Sequence, residues 1–128
     1  MASVSRFEDL IAWQRAKAFS VAVYGFTKQY PFSRDAALCS QIRRAAVSIM
    51  SNLAEGFEHT SHAEFLRFVN IAKASAAEVR SQIYLAHEIG YLDATTFQTS
   101  LQQIHELGRI IGGLRAALYR QTKAQAVR

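Results

Sequence analysis

The sequence predicts an all-α protein, an antiparallel up-down-up-down four-helix bundle. Three observations carry that prediction. Apolar residues recur at alternating spacings of three and four through four long segments, the period of a helix that buries one face. No stretch alternates with a period of two for long enough to make a strand. One proline and six glycines in 128 residues leave too few turn-formers for a β sandwich or barrel. Segments of about 25 residues joined by short connections pack antiparallel to their sequence neighbours, giving a rod roughly 37 Å long.

The first helix is predicted over residues 7–30, with Ala12, Ala16, Phe19, Val23, Phe26 and Tyr30 as its core seam. Pro31 cannot continue it, and Ser33 is placed to cap the second helix, predicted over 34–58. That helix buries Leu38, Ile42, Ala45, Ile49 and Leu53, a face widened by Ala46, Met50 and Phe57. Ser61-His62-Ala63-Glu64 reads as a capping box, the serine oxygen taking an amide and the glutamate reaching back. It opens the third helix, over 61–90, whose seam is Phe65, Phe68, Ala72, Ala76, Val79, Ile83 and Ala86. Gly90 can take the left-handed conformation that ends this helix, and Asp93 can cap the fourth, predicted over 93–122. Phe97, Leu101, Ile104, Leu107, Ile111, Leu114 and Leu118 line the last seam, followed by a basic tail over 123–128. The spacing of Gly108 and Gly112 reads either as a site of close backbone approach or as a kink.

A single domain of this length removes roughly 65–70% of its unfolded surface from water, enough for a self-sufficient core. With 50% apolar and 20% charged residues, a disordered tail or a fibre is excluded. The single Cys39 excludes an internal disulfide and a cysteine-built zinc site, and on the apolar arc of the second helix it reads as a buried thiol. Ala94 to His105, the longest stretch without Lys, Arg, Asp or Glu, is too short and too polar to cross a bilayer. Met1 to Arg6 lacks the basic start and apolar run of a signal peptide, so a soluble cytoplasmic protein is expected.

The net charge of +5 is localised. Up to Glu106 acids and bases balance, and the whole excess comes from Arg109, Arg115, Arg120, Lys123 and Arg128. Cations complement the dipole at a helix C-terminus by about 0.3–1 kcal/mol each, but the effect fades after the last turn. Five cations over twenty residues exceed that need, so a basic surface for phosphate or an acidic partner stands beside the dipole reading.

Enzymatic chemistry finds little support. None of Glu55, Glu58, Glu64, Glu78, Glu88 or Glu106 is followed three positions later by histidine, so the Glu-x-x-His pair of a di-iron bundle is missing. His59 and His62 read as solvated residues at a helix start, and His87 and His105 as packing or surface residues; no metal or other cofactor is expected. There is no phosphate-binding glycine loop. The second helix carries a polar stripe, Gln41, Arg44, Ser48, Asn52 and Glu55, which reads as a hydrogen-bonded network. Arg44 and Glu55 lie three turns apart, so each needs a partner elsewhere: another helix, another subunit or a ligand.

Two flanks exceed what one bundle core requires. The first helix carries Leu10, Trp13, Lys17, Val21, Tyr24 and Lys28 opposite its seam; the third carries Leu66, Val69, Lys73, Arg80, Tyr84 and His87. Long basic stems and rings lying over the bundle's shoulder would account for them, as would subunit contacts. Interface-type aromatics favour the latter, with Leu10, Trp13, Val21, Tyr24 and Tyr84 as the contact residues.

Phe7-Glu8-Asp9-Leu10, Trp13-Gln14, the run Gln41-Ile42-Arg43-Arg44-Ala45-Ala46-Val47-Ser48-Ile49, Asn52-Leu53-Ala54-Glu55-Gly56 and Glu64-Phe65 resemble the four-helix bundle family of 23S rRNA intervening-sequence proteins. That family is similar to the accessory variability protein of diversity-generating retroelements. The resemblance runs from about Phe7 to Leu118 and implies a barrel-like homopentamer with basic surfaces and no known catalysis. It also implies binding to structured RNA or DNA, or to a nucleic-acid enzyme such as a reverse transcriptase. Ala74-Ser75 stands where the family usually has Gly-Ser, and Arg80 replaces a usual acid, which makes the third helix more basic.

The expected function is therefore a non-enzymatic, homo-oligomeric module binding RNA or DNA through its phosphates. The candidate phosphate-binding residues are Lys17, Arg43, Arg44, Lys73, Arg80, Arg109, Arg115, Arg120 and Lys123. The alternative is an interaction scaffold that engages a nucleic-acid enzyme through Trp13, Tyr24 and Tyr84.

Overall fold

The computed structural model describes residues 4–127 of the chain, with side chains through residue 124. It contains four helices, α1 (Ile11–Thr27), α2 (Ala36–Phe57), α3 (His62–Glu88) and α4 (Ala94–Val127), and no strand among the described residues. Short 3-10 turns at Phe7–Asp9 and Phe32–Arg34 precede α1 and α2.

Local chemistry sets most of the helix ends. Ser61 caps α3 by accepting from the Glu64 amide at 3.1 Å, and Asp93 caps α4 by accepting from the Thr96 amide at 2.7 Å. The Asp93 carboxyl is held below its ordinary value by that amide. Gly90 ends α3 at φ +86°, where a side chain would be strained. Only half of the expected capping box forms: the Glu64 carboxylate accepts from Arg67 Nε at 2.8 Å. At α2 the cap is Asp35, since Ser33 is taken up in the 3-10 turn. One Asp35 oxygen accepts from the Leu38 amide at 3.0 Å and the other from the Tyr91 hydroxyl at 2.9 Å. The amide first, then the phenol, holds its carboxyl below the ordinary range.

The topology follows from which residues meet. Between α2 and α3, Ser48 faces Ser75 while Gly56 meets Phe65 and Phe68, so chain positions rise on one helix as they fall on the other. Between α3 and α4, Tyr84 meets Phe97 and Asn70 meets Arg115, again antiparallel. Helix α1 packs on α2 and on α4, closing the order α1-α2-α3-α4 around one core.

That core contains most of the predicted seams, while Phe57 and Phe68 are only partly buried and lie outside it. Phe19, Val23, Ile42, Ile49, Leu53, Val79, Ile83, Leu107 and Ile111 are almost wholly removed from water, each contributing about 1.5–3 kcal/mol of burial. Cys39 is buried, its thiol donating to the Phe32 carbonyl at 3.3 Å.

Four positions depart from the helical-wheel reading. Tyr30 lies past the end of α1 and is 77% exposed, so it is no core residue. Leu10 is extended, with φ −69° and ψ 123°, and turns inward to 8% exposure; it is not available to touch another subunit. Val69 is fully buried, and Phe32 fills the bundle end against Phe26 and Tyr91, at 5.9 and 5.1 Å between ring centroids. The predicted basic tail is helical, because α4 runs on to Val127; Arg128 lies outside the described residues.

At Gly56 helices α2 and α3 approach closely. A Cβ built there would lie 2.7 Å from Phe68 Cβ and 2.9 Å from Phe65 Cδ1. The same construction at Gly108, Gly112 and Gly113 meets nothing within 4 Å, so none of the described residues uses their smallness.

Candidate nucleic-acid interface

Packing divides the nine predicted phosphate-binding residues among separate places. Lys73, Arg80, Arg109 and Arg115 line one open groove between α3 and α4. On α3 the first two are seven residues apart, two turns and roughly 10 Å along one face. Arg109 and Arg115 come from α4, and Arg115 Nε donates to Asn70 across the helix pair at 2.6 Å. His105 joins this lining, and Ala74, Ala77 and Gly108 keep the floor low.

Glu106 is the one carboxylate in the groove lining, and it is engaged from the other side by Arg15 of α1. None of the four groove cations has a carboxylate partner among the described residues. The groove volume, about 1270 Å³, exceeds the ~300–1,000 Å³ of small-molecule pockets.

Arg43 and Arg44 lie on the opposite side of the bundle, with Lys28 in a second hollow between α1 and α2. Lys17 belongs to neither place; its ammonium sits 5.6 Å above the Trp13 ring. Arg120 and Lys123 line neither hollow and are exposed on the last turns of α4. A single continuous nine-residue surface does not exist in one chain.

The polar stripe of α2 is also only partly joined. Asn52 Nδ2 donates to the Ser48 carbonyl at 2.8 Å and to the Ser48 hydroxyl at 3.0 Å, and that hydroxyl meets Ser75 of α3 at 2.9 Å. Gln41, Arg44 and Glu55 are exposed and have no hydrogen bond or ion pair among the described residues. Arg43, one position along, is the arginine that is held: its Nε donates to Thr27 Oγ1 at 2.8 Å and its guanidinium lies 4.9 Å from the Tyr24 ring centre. Residue spacing could not have chosen between neighbouring arginines, because the choice depends on where α1 lies.

Of the other predicted subunit contacts, Trp13 is half-buried and covered at its edge by Phe7, at 5.1 Å. Val21 and Tyr24 on α1 and Tyr84 on α3 are exposed, on helices diagonal to each other. The reading of the sequence missed Ile11 at the start of α1, Ile71 and Leu85 on α3, and Ile89 just past its end, all exposed. Their i, i+4 recurrence at Leu85 and Ile89 was a visible signal. His59 is exposed and stacks on Phe68 at 5.0 Å, while the half-buried His87 packs on Phe97 at 4.0 Å. No cluster of three or more His, Cys, Asp or Glu side chains arranged to hold a metal occurs among the described residues. No helix among them is long and apolar enough to cross a membrane.

Fold and groove together define an all-α four-helix bundle whose charged features lie on open helix faces. Residues 8–113 match the 23S rRNA-intervening sequence protein family, and the chain belongs to that family. A crystal structure from Bacteroides thetaiotaomicron, described as a protein of unknown function from the S23 ribosomal protein family, has the same fold. It superimposes with a TM-score of 0.76 at 20% sequence identity, covering 82% of this chain and 98% of that one. No curated protein matches the sequence.

Proposed function

We propose that this protein is a non-enzymatic, homo-oligomeric helical module that binds structured RNA or DNA along the α3–α4 groove. One observation carries the reading: four cations line a single groove whose only lining carboxylate is already committed to Arg15. A run of cations with no internal counter-charge favours a polyanion, and an open trough suits a polymer better than an enclosed metabolite. Small residues on the floor let a sugar-phosphate backbone come close to the helices. Assembly is supported by the exposed apolar residues lying on two different helices, α1 and α3, as a head-to-tail ring requires two unlike patches per copy. Each added copy would repeat the groove and raise the local field.

The test is binding of a folded RNA and a DNA duplex across a salt series, with light scattering on the same samples. Lys73→Gln and Arg109→Gln each remove one cation facing a phosphate. Each should flatten the slope of log K against log salt by about 0.9 for duplex DNA and ~0.7 for single strands. Affinity should fall similarly for unrelated sequences. Binding that ignores salt, or that both variants leave intact, refutes the groove. An intact oligomer that binds no nucleic acid would instead support the scaffold engaging a nucleic-acid enzyme, with Tyr84, Leu85 and Ile89 as its exposed anchors.

A further inference from the structure

The hollow between α1 and α2 is a second charged site with different construction. Its wall includes Tyr24, Thr27, Lys28, Ser33, Ser40, Arg43 and Arg44: three cations, four hydroxyls and, among the described residues, no carboxylate. Asp35, the acid closest in sequence to Ser33, is not part of the wall and is committed to the Leu38 amide and the Tyr91 hydroxyl. The hollow is as open to solvent as the α3–α4 groove but smaller, about 770 Å³.

Arg43 is what separates this place from an ordinary basic surface. Its Nε hydrogen is spent on Thr27 Oγ1, and that hydroxyl in turn donates to the Val23 carbonyl at 2.7 Å. The Tyr24 ring supports the guanidinium. Arg43 is half-buried and has no carboxylate partner among the described residues. Its two terminal nitrogens are therefore fixed in place with donor capacity to spare, a fork that matches a tetrahedral oxyanion. Arg44 and Lys28, both without an internal partner among the described residues, supply further charge beside it.

The geometry points to a phosphate-monoester site in this hollow, with Arg43 as the oriented donor, Arg44 and Lys28 as charge partners, and Thr27 as the residue that positions Arg43. The site is separate from the α3–α4 groove and does not depend on the reading proposed for it. A phosphate monoester reaches a protein either as a small phosphorylated molecule or as the end of a nucleic-acid strand, and the test distinguishes the two.

Inorganic phosphate is titrated into the whole protein by calorimetry and by the NMR resonance of the Arg43 Nε–H. A short 5′-phosphorylated oligonucleotide and its 5′-hydroxyl twin are titrated in parallel. Saturable phosphate binding that shifts the Arg43 resonance is expected. Arg43→Gln and Arg44→Gln should each weaken it about tenfold, the scale of one charge-assisted hydrogen bond. Thr27→Val, which removes the hydroxyl that aims Arg43, should weaken it less, and Arg109→Gln in the other groove should leave it unchanged. Preference for the 5′-phosphate strand over its twin identifies a strand end, and equal affinity of the two strands beside tight phosphate binding identifies a small molecule. Arg44→Gln and Lys28→Gln disturb no side-chain bond among the described residues, so their effect does not reduce to misfolding. Absence of saturable binding of phosphate and of any preference for the phosphorylated strand overturns the assignment, as does binding that Arg43→Gln and Arg44→Gln leave unaltered.

Discussion

Replacing glycine by alanine should have opposite signs at two helical positions of this protein, and the structure fixes both. In a helix interior alanine is favoured over glycine by about 0.8–1.0 kcal/mol. At Gly113 a new methyl meets nothing within 4 Å, so Gly113→Ala should stabilise by nearly that amount. At Gly56 the methyl would sit 2.7 Å from Phe68 Cβ, about 1 Å inside the 3.5–4.0 Å separation at which two carbons attract. Phe68 Cβ is bonded to its own helix backbone and cannot swing away, so α2 and α3 must separate locally. Overpacking of this kind costs about 1–3 kcal/mol, and the rigid partner places Gly56 at the upper end. After the propensity gain, Gly56→Ala should lose ~1–2 kcal/mol. With an unfolding entropy of about 2.1 cal/mol/K per residue, a chain of 128 residues shifts by roughly 4 °C per kcal/mol. The midpoint should fall about 4–8 °C for Gly56→Ala and rise ~4 °C for Gly113→Ala, measured by circular dichroism at one fixed protein concentration. A Gly56→Ala protein as stable as the parent would refute the close helix approach. A destabilised Gly113→Ala would show that another molecule packs on that turn of α4.

Two further outcomes test the bundle end. Phe32→Ala empties a fully buried site between Phe26 and Tyr91 and should cost about 3–5 kcal/mol in urea denaturation, as much as a helix-core truncation; a loss near zero would mean that the connection does not pack as described. The lowered carboxyls of Asp35 and Asp93 favour the folded state above their ordinary value of 3.8, and that contribution is lost as the pH falls through their folded values. Asp35→Asn keeps a capping oxygen but removes one of these titrations, so stability should fall less steeply on acidification; an unchanged acid limb counts against the cap.

What the sequence revealed about this fold was what its local chemistry decides. Ser61, Gly90 and Asp93 act within three residues of themselves, so their roles were readable without knowing any neighbour. The core seams were readable because a helix that buries one face must repeat its apolar residues at that period. Tyr30 and Leu10 were misplaced because the same wheel was extended past the true ends of α1, where the chain leaves helical geometry. Val69 was misplaced for another reason: it lies at the edge of the seam, and only the packing of neighbouring helices decides whether an edge is covered. The cations show the same limit. Their identity was legible, but the division into an α3–α4 groove and an α1–α2 hollow arises from helix pairing, which a linear pattern does not contain.

That division limits what one copy can hold. The two cation-lined places sit on opposite sides of a body two helices thick, roughly 20 Å across. Duplex DNA keeps its direction over about 150 base pairs, so a straight stretch cannot bend tightly enough to touch both. A subunit occupied on both sides therefore carries two separate guests, and joins whatever they are attached to. With both proposed sites filled, a protein of this shape would act as a clip between anionic bodies rather than as a sleeve around one.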